Sequence, residues 1–562
     1  MSAVVGGERW TLRNYAHLPI HDVFIKEYGS LLGSYFSSRS FESLEQAQSF
    51  LNPRLSSLPS PSVLKNLTES AKLLASHIRE NKKILVYGDY DVDGMSGLSL
   101  AADFFDRIGY SHYELFIPHR FDEGYGVHVS SLKRIRESFE YDLVLTVDSG
   151  IGAIEPAKYL KSINVAFVIT DHHLPANELP CTPYIVNPNQ GTCESGLGHL
   201  CGTAVMFFML AGLKSELGVD IKFDVFLDLV SLATVADQME LRDINRALVK
   251  EGLRRWPSQV RPAFQYMATL MKSYEARDLA FSVAPKLNAA SRMGQAMKAL
   301  AFLRSQTIEE AQAQYTEVEA LNTSRVESQA IVMKEATEQA SVQIEEGRSL
   351  LLIQGEEWLE GVLGIVAAKL VESFNLPAIV LSKTPHGTLR GSMRCPTGFH
   401  CVSFLEGARA ILKKFGGHAE AAGMEIETAK ISAFEAYIKS VDFSELSLHR
   451  VVEFDGEVEV LPTLQEVEAL NRSAPWGRGN AQPLFLYSQL PLSARKVLKE
   501  KHVKWDLVGG SAIAFGFEEL CKKLEELGHR QVDALVVPEI SEFRGRKSTQ
   551  LRVTRIRPSE NP

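Results

Sequence analysis

Apolar residues in the first half of the chain fall into short runs set between stretches of helical spacing. Ile84–Val86, Glu114–Ile117, Leu143–Val147 and Ala166–Ile169 have the length and composition of strands, and turn residues or polar groups follow each. Strands alternating with helical patterns imply a parallel sheet covered by helices, so residues 76–304 are expected to form a first α/β domain. Residues 1–75 are mixed in pattern and turn-rich at 57–62, and are expected to cap that domain. From 305 to 347 no Gly or Pro occurs until Gly347, and Tyr315, Val318, Leu321, Val326, Ile331 and Val332 recur among polar residues, which predicts one long linking helix. Residues 348–446 repeat the α/β theme, with strands at Leu350–Ile353 and Ala378–Leu381 and a helix from Gly361 to Leu370. Short strands from 447 to 562 predict a β-rich terminal domain. The fold class is therefore α/β: two α/β domains joined by a long helix, with a β-rich domain behind them.

Composition changes this picture little. A chain of 562 residues suggests about three or four domains, and 45% apolar content is enough to bury several cores. No run of about 18 apolar residues suggests a membrane span, and the first residues lack the basic and apolar regions of a signal peptide. Cys181, Cys193, Cys201, Cys395, Cys401 and Cys521 form no CxxC pair. Cys193, His199 and Cys201 lie close together but lack a fourth ligand and a zinc-site spacing, so free thiols in a reducing cytoplasm are expected. A net charge of -9 is unlike a nucleic-acid binder, yet local basic stripes matter more than the total.

The chemistry sits where the apolar runs end. After Ile84-Leu85-Val86-Tyr87-Gly88, carboxylates follow at Asp89, Asp91 and Asp93, and a helix pattern resumes beyond Gly94. Alternate residues of an extended segment point to one side, so the three acids can converge. Crowded carboxylates repel, and a divalent cation relieves the repulsion. An isolated pair of such acids would read as a solvated turn or helix cap. Here the theme recurs: Asp148 with Ser149 and Gly150, Asp171 with His172 and His173, and Asp237 after an apolar helical segment. Later, Arg390, Ser392 and Arg394 and the glycine-rich Gly416-Gly417-His418 offer phosphate donors, with Arg120 and Arg292 as weaker candidates. In the last domain Arg495, Lys496, Lys499, Lys501 and Lys504 precede Trp505, and six more basic residues lie between 544 and 557. Basic strands with aromatics nearby suit a groove for a single strand, and equally suit a solvated sheet face.

GDYDVDG, VDSG, TDHH and VAD, in that order, resemble the four motifs of the DHH phosphoesterase family. RGSMR and GGHAEAAG resemble its DHHA1 half, the end of the chain including PWGRGNAQPLF resembles an OB-fold, and VAPKLNAASRMG resembles a further segment of the single-strand exonuclease branch. The resemblance covers nearly the whole chain. It implies two metal ions, Mn²⁺ or Mg²⁺, held by Asp91, Asp93, Asp148, His172 and Asp237, with Asp148 bridging and Asp89 as an additional ligand. Asp148, His172 and His173 are the implied catalytic residues, His173 contacting the scissile phosphate or acting from behind the metal ligands. Gly416, Gly417, His418, Arg390, Ser392 and Arg394 would grip substrate, with the active site in a cleft between the two halves that excludes a duplex. Two positions depart from the pattern. Tyr87 stands where the family often has His, which shifts weight onto Asp89, and Leu359 stands where similar sequences tend to have His, which puts a contact of the DHHA1 half in question.

The implied function is a single-strand-specific 5′→3′ DNA exonuclease that releases 5′-mononucleotides in repair and recombination, cytoplasmic and without a membrane contact. Single-stranded DNA is the expected partner, with a single-strand-binding protein or a helicase as candidates beside it. The alternative is a small-substrate phosphoesterase acting on oligonucleotides or cyclic dinucleotides, which would not need the basic terminal domain. A non-catalytic scaffold would be expected to lose metal ligands, and all four motifs keep theirs.

Overall fold

The structure, a computed structural model, describes residues 8–13, 20–176, 178–256, 261–385, 387–443 and 450–559. The chain forms two compact units. One holds residues 53–328 with 475–481, and the other holds 1–52, 329–474 and 482–562. The second unit opens with strand β1 (Glu8–Leu12) and helices α1 (Ile20–Ser38) and α2 (Leu44–Leu51).

The first unit is built on a parallel sheet of β2 (Ile84–Gly88), β3 (Tyr113–Phe116), β4 (Leu143–Val147), β5 (Ala166–Thr170) and β6 (Tyr184–Val186), in the order β3-β2-β4-β5-β6. β2, β4 and nearly all of β5 are buried, as strands covered on both faces must be. Ile84 and Val86 point to one face, among residues of helices α3 (Val92–Arg107), α4 (Gly202–Leu217) and α5 (Leu227–Ala236). Leu85 and Tyr87 point to the other, against Leu132, Ile135, Ala157 and Leu160. Each such side chain contributes roughly 1.5–3 kcal/mol by burial. From β2 the chain crosses to β3 on one side and then returns to β4 on the other. The order reverses between β2 and β4, and ligands of open α/β sheets bind at the carboxyl ends of the strands at such a point.

Helix α6 (Ala284–Arg292) belongs to this unit, and helix α7 (Ile308–Glu345) realises the expected long linker. Ala311, Tyr315, Val318 and Leu321 of α7 join the first core. Val332, Ala336 and Ala340 join that of the second α/β sheet, which holds β7 (Leu351–Glu356), β8 (Ala378–Lys383), β9 (Thr388–Arg394), β10 (Lys414–Gly417) and β11 (Ala421–Glu427). The order is β10-β11-β9-β8-β7, parallel only at β7–β8. β7 is an edge, and α7 closes it: the Gln339 amide exchanges hydrogen bonds with the backbone of Gln354 at 2.8 and 3.1 Å, and Gln343 does so with Leu352 at 2.7 and 2.9 Å.

The terminal sheet joins seven strands, including His502–Leu507, Gln531–Phe543 and Arg546–Pro558. Residues 20–51, expected to cap the domain that follows them, belong to the compact unit that holds the terminal domain. Phe24, Leu31, Tyr35, Phe36 and Leu51 enter the core of this terminal domain with Val467, Phe485 and Trp505, and β1 pairs with the strand Arg450–Phe454. Buried Asp455 fastens the join, accepting from Ser38 Oγ at 2.6 Å, Arg39 Nε at 3.0 Å and the Leu484 amide at 3.0 Å. Residues 475–481, within PWGRGNAQPLF, instead pack with the first unit, where the Leu241 amide donates to the Arg478 carbonyl at 2.8 Å. Among the described residues no helix is long and apolar enough to cross a membrane.

Candidate metal centre and phosphate-binding surface

β2 ends in a turn that starts α3, and the helix start is built by the acids themselves. Asp91 is the N-cap, its Oδ1 accepting from the Asp93 and Gly94 amides at 2.9 and 3.1 Å. Gly94 is required here, because a Cβ would lie 2.4 Å from the Asp89 carbonyl oxygen. Asp93, buried, reaches across to α4 and accepts from the Gly202 and Thr203 amides at 2.6 and 2.8 Å. An acid at a helix N-terminus is stabilised by the amides left unbonded there.

Asp148 follows β4 with φ 57, the left-handed region that Asp and Asn tolerate best after glycine. Gly202 packs so closely on it that a Cβ would meet the Asp148 Cβ at 2.5 Å. His172 Nε2 stands 3.1 Å from Asp148 Oδ1, 3.5 Å from Asp237 Oδ2 and 3.9 Å from Asp93 Oδ2. The ligand atoms fall into groups small enough to share an ion, Asp89–Asp91–Asp148 and Asp93–His172–Asp237 among them, and a third group joins Asp148 to both histidines. The Asp89 Oδ1 and Asp148 Oδ1 atoms are buried and have no hydrogen-bond partner among the described residues. Burial, then the charge of Asp91, raises the Asp89 carboxyl well above its ordinary range, and burial with Asp93 and Asp91 does the same to Asp148. Burial holds the His172 pKa down despite the acid beside it, which leaves a neutral imidazole able to ligate. Orphaned acid oxygens beside a neutral imidazole fit divalent cations such as Mn²⁺ or Mg²⁺.

His173 is held differently. Asp171 Oδ1 accepts from its Nδ1 at 2.8 Å and from the His172 and His173 amides at 2.7 and 3.1 Å, while Asp171 Oδ2 accepts from the Ile151 amide at 2.8 Å. Burial opposes charge on His173, but this bond and the surrounding acids prevail and raise its pKa to about 9. Its Nε2 is thereby turned away from Asp171 as a donor. Tyr87 takes no part: it is buried on the far face of the sheet and donates to the Gly126 carbonyl at 3.1 Å.

Arg120 lies over the Tyr90 ring at 4.7 Å and donates to Ser291 Oγ at 3.3 Å, and Arg292 closes the same helix as Ser291. On the second α/β sheet Arg390, Ser392 and Arg394 share one face of β9. Ser392 lies opposite Gly423, and Gly423 opposite Gly416, so a hydroxyl borders a trough without side chains. Gly364 keeps the other rim open: a Cβ there would stand 2.9 Å from Arg394 Nη2 and 3.2 Å from Ser392 Oγ. Gly416 has open space around it, and Gly417, at φ +147, closes against the Ala421 carbonyl. His418 is exposed beside them, its amide donating to Ala421 at 2.8 Å. Arg390 is already engaged by Glu425 at 3.2 Å. Leu359 packs on the apolar cluster of α7, and its neighbour Trp358 donates to Glu335 at 3.0 Å.

Residues 83–234 match the DHH family N-terminal domain, 347–442 the DHHA1 domain and 455–555 the RecJ OB domain. The single-stranded-DNA-specific exonuclease RecJ of Salmonella typhimurium is 31% identical over 530 residues, covering 88% of this chain and 91% of that protein. The chain belongs to the RecJ family. The crystal structure of RecJ from Thermus thermophilus in complex with Mn²⁺ superposes with a TM-score of 0.84 at 27% identity, covering 99% of this chain and 80% of that one. The Mg²⁺ complex of the same protein gives 0.77 at 26% identity, covering 98% and 79%.

In this RecJ-family chain two features of the terminal domain depart from expectation. Trp505 is 1% exposed and donates to the Pro491 carbonyl, so it supports the core and stacks on no base. Arg495 is tied to Glu518 and Glu525, Arg552 to Glu539 and Arg555 to Glu8. Lys499 and Lys501 are exposed and form no ion pair among the described residues. Sequence reasoning named Asp171 within TDHH but missed its role, which is to orient the histidine pair through its carboxylate. It also missed Tyr125, whose hydroxyl lies 2.9 Å from His173 Nδ1, and Asn189, which donates to the His172 carbonyl at 2.6 Å. Neither carries a local signal.

Proposed function

We propose that the chain is a single-strand-specific 5′→3′ DNA exonuclease that releases 5′-mononucleotides. The observation that carries this reading is the pair of ligand groups sharing the ends of β2 and β4, with Asp148 Oδ1 3.1 Å from His172 Nε2. Asp89, Asp91, Asp93, Asp148, His172 and Asp237 would hold two ions, Mn²⁺ or Mg²⁺, with the Asp148 carboxylate belonging to more than one of the ligand groups. Bound there, the ions supply a water of lowered pKa and a clamp on the phosphoryl oxygens.

The residues of the chain do the rest. Asp93 fixes the start of α3 to that of α4, which holds the carboxylates in place before substrate arrives. His173, anchored by Asp171, directs its Nε2 proton at a non-bridging oxygen of the scissile phosphate. Water attacks phosphorus, and the bond to the 3′ oxygen of the terminal nucleotide breaks. The departing nucleotide keeps its 5′-phosphate, and the shortened strand carries a new one. Ser392 and Arg394 bind that terminal phosphate, with Gly416, Gly417 and His418 along the trough and Arg120 and Arg292 beside Tyr90. Every cycle thus regenerates the group that the next cycle recognises. Lys499 and Lys501 contact phosphates further along the strand. A role in repair and recombination in the cytoplasm, beside a single-strand-binding protein or a helicase, accords with this substrate.

Digestion of 5′- and 3′-labelled single strands and blunt duplexes with Mn²⁺ or Mg²⁺ tests the reading. Early release of the 5′ label as a mononucleotide from single strands only is expected. Release from the 3′ end first, or activity confined to cyclic dinucleotides, would replace it with the opposite polarity or with a small-substrate phosphoesterase.

A further inference from the structure

Phe281 is 76% exposed, and the next most exposed aromatic rings among the described residues are Phe515 at 46% and Tyr125 at 45%. It lies in a wide π-helical segment, Leu279–Val283, that runs directly into α6. Such wide turns inside helices occur frequently at functional sites. Residues 283, 284, 287 and 289–291 are buried, whereas 281, 285, 288 and 292 are not. These four form one stripe along the helix, exposed at Phe281 and partly buried at the other three. Toward its far end Asn288 Oδ1 accepts from the Val92 amide at 3.1 Å, between the ligands Asp91 and Asp93. Arg292 lies one turn beyond. The stripe therefore begins at the acid cluster, and Phe281 sits seven residues back from Asn288, about 10 Å along the helix.

We propose that Phe281 is a stacking platform for a nucleobase of the single strand held at the metal centre. An exonuclease draws every base in turn past one fixed position, so a contact there must accept all four. Hydrogen bonds to base edges discriminate, whereas a ring face does not, because every base has a π-face. The stripe supplies what such a contact needs: an uncovered ring on a rigid helix whose other end is hydrogen-bonded to the catalytic turn. By holding a base a fixed distance from the ions, Phe281 sets the register of the strand and acts as a positioning residue for the reaction. The inference rests on the single-strand exonuclease reading.

The test walks a single abasic nucleotide through the first six positions of a 5′-phosphorylated strand and measures steady-state cleavage by the full-length protein. For the unaltered protein, one abasic position is expected to raise KM on the order of 5–100-fold, the range of one lost stack. Phe281→Ala should raise KM on the intact strand by a similar factor and be indifferent to the abasic nucleotide at that same position. Phe281→Leu, which keeps an apolar group without a ring, should behave as the alanine variant, and Phe281→Trp should restore the response. If Phe281→Ala and the abasic effects simply multiply at every position, or if Phe281→Leu matches the unaltered protein, the ring serves packing and the proposal fails. Thermal melting of each variant separates misfolding from lost contact, and Phe281→Trp carries the test should the smaller side chains not fold. No cleavage of intact single strands by the unaltered protein would instead refute the exonuclease reading itself.

Discussion

The metal centre and the terminal domain both gather charge, and they treat it in opposite ways. At the ends of β2 and β4, Asp89 and Asp148 are buried with oxygens that have no hydrogen-bond partner among the described residues, in a cluster where carboxylates outnumber the one cationic imidazole, His173. In the terminal domain several arginines come with partners: Arg495 meets Glu518 at 3.1 Å, Arg552 meets Glu539, and Arg557 meets Asp533 at 3.7 Å. Paired charges inside one domain hold that domain together. Buried charges of one sign cost stability until something outside the chain neutralises them. Charge that the fold has not neutralised, rather than charge density, marks where a ligand is due.

The strongest way to break this contrast is Asp148→Asn. Asparagine keeps the shape and tolerates φ 57, which alanine does not, so the fold should survive. Several kcal/mol of transition-state stabilisation go with the ions, so kcat should fall on the order of 10³-fold or more. Turnover and calorimetric Mn²⁺ binding measured on the same preparation check it; normal turnover in a folded variant would refute the two-ion assignment. Arg495→Ala should do the reverse. It removes the closer cationic partner of the buried Glu518 and leaves only Lys522 at 3.5 Å, should cost up to about 3 kcal/mol of unfolding free energy, and should leave the salt dependence of DNA binding unchanged. Lys501→Ala should leave stability alone and reduce the single-strand salt slope by roughly 0.7.

Arg394→Ala tests the phosphate surface. A hydrogen bond to a charged group is worth about 1.5–3 kcal/mol, so kcat/KM on a 5′-phosphorylated strand should fall roughly 10–100-fold. A strand with a 5′-hydroxyl should lose much less, and equal losses would move the terminal-phosphate pocket elsewhere. The smallest effect concerns pH. Folding raises the carboxyl pKa of Asp89 and Asp148, so the metal-free native state binds more protons than the unfolded chain does. Its stability is then fully present below the unfolded carboxyl value of about 4 and falls as pH rises through the raised values. Thermal melts in chelator should drop with increasing pH, and saturating Mn²⁺ should remove the trend. A melting temperature independent of pH in chelator would mean the acids are not strained without an ion.

Much of the site was legible because its signals are local. A continuous apolar run marks a strand buried on both faces, and an acid just after it marks the carboxyl end of a parallel sheet. Asp89, Asp91, Asp148 and His172 could be read in that way from neighbours a few residues off. The gap without Gly or Pro from 305 to 346 likewise became one helix, Ile308–Glu345, since nothing in it interrupts the backbone hydrogen bonds.

What the tertiary structure alone decided depends on partners far along the chain, which no period encodes. Asp93 reads as one more ligand, yet its carboxylate also binds the start of a helix 109 and 110 residues away. Residues 20–51 show an apolar face without saying what covers it, and the cover lies more than 400 residues on, in the terminal domain. Arg495 and Trp505 looked like a nucleic-acid surface because a basic residue near an aromatic one is the same pattern whether it faces water or a glutamate. Their fate was set by Glu518, Glu525 and the Pro491 carbonyl, which folding brings to them. A periodic pattern states which side of an element is apolar; whether a polar group on the other side is spent within the fold or left for a ligand is a property of its neighbours in space.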